Sequence, residues 1–421
     1  MENGQTRRLT EKKSGSVLVL VLLVVLVSFI IGTGLLALGT QSRVASINQV
    51  QDMMARSAAD AGLERAVQEI NNAVRAKTWP DGITSYASNV ALPYSSSTYS
   101  VKTDYDAATE QYHIMSVGTD RKRTRTINAT LQLKGLFEYA ILLKETMILK
   151  AGTVVDGYHS QDPSMTDVGL QIATVSTAPD RVILNMGTTV DGEVLVGVGG
   201  DADSVIKDLG ATTSDRRSLV AEPPFPQIIP PILAPMDAGI FVEGTTATIT
   251  PADSGKYTSI TIKQISETIK TVTTNYPGTL EISGGEVVLH VTGDIWLGQG
   301  CEILVRDGAS LILYVDGDIV CGNGGGIGYD GIPEDPSHVQ LYGTGSGEQS
   351  FDLKAKDKWS GVVYAPNADI TLYAKGDAYG SFVANALEFK ADGNLFYDGA
   401  LSEVSVDDVG ARFAVNRWRE Q

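Results

Sequence analysis

Residues Ser16 to Leu38 (SVLVLVLLVVLVSFIIGTGLLAL) run for 23 positions without a charge, directly after Lys12-Lys13-Ser14-Gly15. At ~1.5 Å rise per residue such a helix reaches about 35 Å, enough to cross the ~30 Å hydrocarbon core of a bilayer with some tilt. The run therefore reads as a membrane tether. Arg7, Arg8, Lys12 and Lys13 precede it, and positive flanks stay on the cytoplasmic side, which puts the bulk of the chain outside the cytoplasm. The apolar core of a cleaved secretory signal spans only ~7–15 residues, and Ala37-Leu38-Gly39-Thr40 is a poor cleavage site for one.

The formal charge is −17; residues 1–15 contribute +2, so the remainder carries −19. That balance argues against nucleic acid or anionic lipid headgroups as partners and suits a solvated extracytoplasmic domain. With 44 Gly, 15 Pro and 7% aromatic residues, the chain reads as rich in turns and β structure. Cys301 and Cys321 are its two cysteines. In an oxidising compartment they form either a bridge between adjacent repeats or two buried thiols. The four histidines are scattered without ligand-like spacing, so no metal or other cofactor is expected.

Helical spacing continues past Gly39 through Val44, Ile47, Val50, Met53, Met54, Ala58, Ala61, Val67, Ile70 and Val74, with Pro80 as the breaker. One helix over 16–77 is predicted, its first half spanning the membrane and its second half amphipathic. The short basic leader 1–15 ending in Gly15, the apolar helix beginning at Ser16, and Ala58-Ala59-Asp60-Ala61-Gly62-Leu63-Glu64-Arg65-Ala66 resemble the N-terminal region of the PilX family of minor type IV pilins. The resemblance implies cleavage by prepilin peptidase between Gly15 and Ser16. It also implies a helix that anchors the bacterial protein in the inner membrane until it joins other pilins or pseudopilins. Major pilins carry Glu at the fifth mature position; here it is Leu20. That departure resembles minor pilins and the tip pseudopilin of type II secretion.

Residues 78–136 show period-2 runs at 99–103, 111–117 and 124–133, which predict a small antiparallel meander. Arg121-Lys122-Arg123 reads as a solvated hairpin turn. From 137 to 421 the chain repeats itself. VVLHVTGDIWLGQG (287–300) and LILYVDGDIVCGNG (311–324) match at an offset of 24; 147–160 and 182–195 match at 35; 361–377 and 380–394 echo at ~17–19. Short β-branched runs closed by Gly-Asp or Asp-Gly cannot bury their aliphatic faces alone and must stack on one another. The predicted fold is thus mainly β, a right-handed parallel β-helix, with a β-sandwich as the alternative. Gly199–Ser218 reads as an insertion, Ser266–Asn275 as a short helix or strand, and 323–335 as a loop leaving the solenoid. The six prolines of Glu222–Pro235 (EPPFPQIIPPILAP) predict an extended segment lying along it. Gly361–Ala368, Gly376-Asp377, Gly380–Val383 and Asn416–Glu420 resemble an uncharacterised C-terminal domain found behind PilX-type N-termini.

Parallel β-helices often carry carbohydrate-active enzymes, so Asp294, Asp316 and Asp318 are candidate acids and bases. Asp294, Asp318 and Asp377 recur at the same Gly-Asp corner, which favours turn formation over catalysis. The glycines of 322–331 lack the Lys-Ser/Thr of a phosphate loop. Trp296, Tyr314, Tyr329, Tyr342, Tyr364 and Tyr373 form either a carbohydrate-stacking surface or buried packing. The reading is a non-enzymatic minor-pilin-like protein of a pilus or type II secretion system, displaying a β-helix for assembly or adhesion to a surface or glycan. The alternative is a membrane-tethered carbohydrate-active enzyme.

Overall fold

A computed structural model of the chain describes residues 16–420 except 79–84, 107, 110, 163, 166, 167, 237, 270, 271, 332, 333 and 392. Two compact units result, one of Met1–Gln132 with Phe413–Gln421, the other of Leu133–Arg412.

In the first unit a single helix runs from Ser16 to Arg75, 60 residues or about 90 Å at ~1.5 Å each. No proline interrupts it. It closes before Pro80, which lies outside the described residues: Lys77 adopts φ +52°, its N–H donates to Val74 O at 3.0 Å, and Thr78 N–H donates to Ala73 O at 3.0 Å. These are the bonds of a Schellman turn. Strands Ser85–Ala91, Thr98–Asp106, Gln111–Asp120 and Arg123–Lys134 follow in antiparallel order. Arg412–Glu420 completes a five-stranded sheet beside Arg123–Lys134. The last strand therefore belongs to this sheet and not to the C-terminal repeats, where Asn416–Glu420 was expected. The solenoid is inserted between the fourth and fifth strands of a sheet.

The second unit stacks parallel strands on three faces, and the register equals the sequence offsets. Val287–Val291 pairs with Leu311–Val315, Met147–Leu149 with Val182–Leu184, Gly361 with Gly380 and Asp369 with Ala386. A β-sandwich does not accommodate this parallel pairing. Thr189–Val196 and Ala378–Phe389 each bend around a corner and pair on two faces. Hydrogen bonds consequently close a ring of six strands, the other four being Ile141–Leu143, Gln171–Thr174, Val154–Tyr158 and Leu395–Asp398. Gly380 permits the seam: its φ is +132°, and a Cβ there would strike the carbonyl of Gly361.

Coils are not stacked in chain order. One outward row of the first face reads Lys256, His290, Tyr314, Tyr342, Tyr364, Val383, Leu142, Ala173, Leu195, Arg217. The chain enters mid-stack at Ile141, builds to one end at Ser218, then resumes at the opposite end at Ile240. Nine steps of ~4.8 Å separate the ends, about 43 Å. The fourteen residues Glu222–Pro235 cover about the same distance at ~3.1 Å per residue of polyproline II. This strap runs along the outward row. Tyr364 Oη donates to Pro226 O at 2.7 Å, Ile228 packs in one cluster with Tyr314, Tyr342, Tyr364, Val383 and Leu142, and Pro235 bridges to Lys256.

Two expectations change, and the helix-or-strand alternative at Ser266–Asn275 falls to strand. Gly199–Ser218 is no insertion: Ile206–Asp208 pairs with Val182–Leu184, and Thr212–Ser218 with Thr189–Val196, forming the terminal coil. Its polar sequence suits an edge that must not recruit further strands. Ser266–Asn275 lies in an exposed antiparallel hairpin, Ile265–Ile269 with Val272–Tyr276. Within the expected loop, Gly326–Tyr329 is a rung stacked on Glu302–Val305.

Replacing Ile228 with Ala should remove the strap's central apolar contact at a cost of about 2–5 kcal/mol. Urea unfolding of the solenoid should shift to lower concentration and thermolysin should cleave between 219 and 236. Cleavage at the wild-type rate would mean that these contacts do not hold the strap.

Candidate functional site

The helix Ser16–Arg75 has three zones. From Val17 to Leu38 each large apolar side chain is at least 44% exposed, and the run is long and apolar enough to cross a membrane. Leu20, at the fifth position after Gly15, is among them; Gly15 lies outside the described residues, and Ser16 is the first helical residue. From Gly39 to Met54 the helix is still uncovered, and Val44, Ile47, Val50, Met53 and Met54 remain exposed. Asp52 reaches the sheet by ion pairs with Arg123 and Arg125, and close packing begins at Ala55.

The contact face is Ala55, Ala58, Ala59, Leu63, Ala66, Ile70 and Val74, all buried. Small residues bring helix and sheet within backbone distance. A Cβ on Gly118 would collide with Ala55 O and Ala59 N, and one on Gly62 with the side chains of Ser116 and Tyr99. Ser116 Oγ donates to Ala59 O at 2.7 Å. The close approach thus runs from Ala55 to Gly62, overlapping the first half of the segment 58–66. Of the positions expected on the apolar face, Ala61 and Val67 lie only on its flank. Hydropathy spacing underweights Gly and Ala, whose value here is their small volume.

Asn71 fastens the last strand, its Nδ2 donating to Phe413 O at 3.0 Å and its Oδ1 accepting the Phe413 N–H at 2.7 Å. Phe413 packs edge-on against Tyr112, ring centroids 4.9 Å apart. Arg56 lies over the Trp418 ring and pairs with Glu420 at 3.5 Å. Sequence spacing could not find this contact, because the partners are more than 340 positions apart.

The catalytic candidates act as coil fasteners. Asp294 Oδ1 accepts the Asp318 N–H, Asp318 Oδ1 the Ser350 N–H, and Asp377 Oδ1 the Asn394 N–H, each at 2.8 Å. Each corner carboxylate thereby ties its coil to the next. Asp316 instead accepts Thr344 Oγ1 at 2.7 Å and meets His290 Nε2 at 3.1 Å. Of the six aromatic residues, Tyr314, Tyr342 and Tyr364 are buried beneath the strap and Tyr329 stacks on His338. Trp296 and Tyr373 alone of the set are exposed, by 43% and 38%. The tyrosine row is strap packing, not a sugar-binding face.

Cys301 and Cys321 are buried free thiols. Cys321 stacks on Leu297, and Gly326 N–H donates to Cys301 O, so the two sulfurs occupy different positions around adjacent coils. Burial raises both thiols, Cys321 to about 12.

The sequence model of one family, described only as a domain of unknown function (DUF7305), matches residues 267–404. The match takes in the Gly361–Val383 segment and stops before the last strand. No curated protein matches. Among solved structures, the competence-associated pilin ComZ from Thermus thermophilus is similar at 12% identity and a TM-score of 0.26, over 88% of this chain and 97% of that one. A score that low bears no weight by itself.

Three outcomes follow. Gly118→Val should cost about 1–3 kcal/mol by forcing the helix off the sheet, and Asn71→Asp, which removes the donor to Phe413 O, should make amides 413–419 exchange rapidly with solvent. Exchange as slow as in the wild type would show that Asn71 does not hold the strand. Cys301 and Cys321 should resist a thiol reagent in the native protein at pH 9, where unfolded thiols react, with Cys321 yielding only as pH approaches about 12. Rapid native labelling would contradict their burial.

Proposed function

We propose that this chain is a minor-pilin-like component of a type IV pilus or a related type II secretion system. Prepilin peptidase cleaves it between Gly15 and Ser16, and 16–38 holds it in the bacterial inner membrane with the N-terminus cytoplasmic. Beyond the membrane it carries a right-handed β-helix, the hand that parallel crossovers almost always take.

The observation that carries this reading is the uncovered stretch between span and sheet. A bilayer needs about 20 helical residues, yet apolar side chains stay exposed as far as Met54. A plain anchor has no use for Val44, Ile47, Val50 and Met54 in water. Packing among similar helices would bury that stripe, since residues three and four apart share a face. Leu20 places no charge in the span, which favours a minor over a major subunit by the resemblance to pilins.

The adhesive part rests on the solenoid's second face. Phe241 and Trp296 point outward on alternate rungs with Thr261 between them, exposed by 59% and 43%. Exposed rings about 10 Å apart suit stacking against successive sugars. The reading assigns this face binding without turnover.

Mass spectrometry of the mature N-terminus in cells with and without prepilin peptidase tests the assignment. A peptidase-dependent terminus at Ser16 is expected, and Gly15→Leu should abolish it. An intact leader in both strains would sink the pilin reading.

A further inference from the structure

The chain beyond the leader is acidic, but its charge is divided unevenly. Leu133–Arg412 holds 17 basic and 38 acidic residues, a net −21. The first unit reverses sign locally. The loop 92–97, the hairpin 118–125 and the uncovered helix 39–54 together hold five basic residues against two acidic ones. The overall balance that argues against anionic headgroups does not describe this end of the sheet.

These segments lie at the membrane end of the sheet. Gly118 faces Ala55, Asp52 pairs with Arg125 at 3.5 Å and Arg123 at 4.0 Å, and Tyr94 and Arg121 share a groove of about 420 Å³ with Ser46, Ile47 and Val50. Ser46 stands eight residues beyond Leu38, roughly 12 Å along the axis. The headgroup layer fills about 5–8 Å of that distance, and the remainder is within the ~8 Å screening length.

The tip is built to hold its shape. Asp120, 5% exposed, accepts Ser96 Oγ at 2.8 Å and Ser97 Oγ at 3.1 Å, locking the loop to the hairpin. Tyr94 and Arg121 are both in the left-handed region, φ +60° and +52°, and Tyr94 is fully exposed. Asp52 answers Arg123 and Arg125, while Arg121 and Lys122 are exposed and have no ion pair among the described residues. Arg43 joins them from the helix. Basic residues above an aromatic at this depth match an anionic bilayer surface, where tyrosine favours the interface.

We propose that this tip is a foot that binds anionic phospholipid headgroups, with Arg43, Arg121 and Lys122 on the phosphates and Tyr94 at the interface. It rests on 16–38 being the span. The foot would hold the unit against the membrane until the helix leaves the bilayer.

The test uses the full chain in nanodiscs of phosphatidylcholine alone or with phosphatidylglycerol. A dye on Thr124→Cys is quenched by headgroup-spin-labelled lipid, and a second dye, on Leu36→Cys, by acyl-chain-labelled lipid. Quenching at 124 should require phosphatidylglycerol, fall with salt, and weaken in Arg121→Asn/Lys122→Gln, Asn being suited to the left-handed site. At about fivefold per basic residue, the bound population ratio should drop roughly 25-fold. Quenching at 36 without quenching at 124 overturns the foot and spares the span; absence at both overturns the span as well. Protection at 124 that follows protein concentration instead of lipid charge overturns the foot in favour of a neighbouring copy's acidic surface.

Discussion

The structure depends on one seam, where Ile141–Leu143 hydrogen-bonds to Phe382–Ala384. The first coil stacks on Gln171–Thr174 and Val182–Leu184 on one side, but its other side has no partner until the last coils exist, because that neighbour is more than 200 residues away in sequence. Such pairing must meet a large loop-closure cost before any contact rewards it. The strap relieves part of that cost: its six prolines restrict the unfolded chain, and its length matches the stack it spans. Tyr314, Tyr342 and Tyr364 give it an apolar bed, and the Tyr364 hydroxyl gives it a fixed point.

The seam also determines where the solenoid begins and ends. Arg412 Nη1 donates to Gly135 O at 3.4 Å, so the chain leaves the solenoid beside its point of entry. It can therefore return as the fifth strand of the sheet it came from. Asn71 then ties that strand to the helix. A helix-and-sheet unit carrying a large solenoid within its sheet needs both ends of the insertion at one place, and stacking out of chain order supplies this.

Several elements were legible because their physics is local. The span needs only a long apolar run, and the coils announce themselves through offsets of 24 and 35 that reappear as hydrogen-bond register. The corner role of Asp294 and Asp318 followed from their recurrence, and each bonds the next coil. The terminal coil does not announce itself in sequence, because its solvent-facing edge Thr212–Ser218 lacks the aliphatic signature of its neighbours. The tyrosine row was ambiguous because a ring that stacks on a sugar and a ring that lies beneath a proline strap look the same in sequence.

The sequence by itself determined a helix long and apolar enough to cross a membrane, the parallel repeats and an extended proline segment. Each follows from periodicity, backbone restriction or hydrocarbon length, and none needs a distant partner. Only the tertiary structure decided the order of the coils, the destination of the strap, the home of the last strand and the burial of the cysteines. Those outcomes rest on contacts between residues tens to hundreds of positions apart, where the choice among partners is made by shape and register once the whole chain is present.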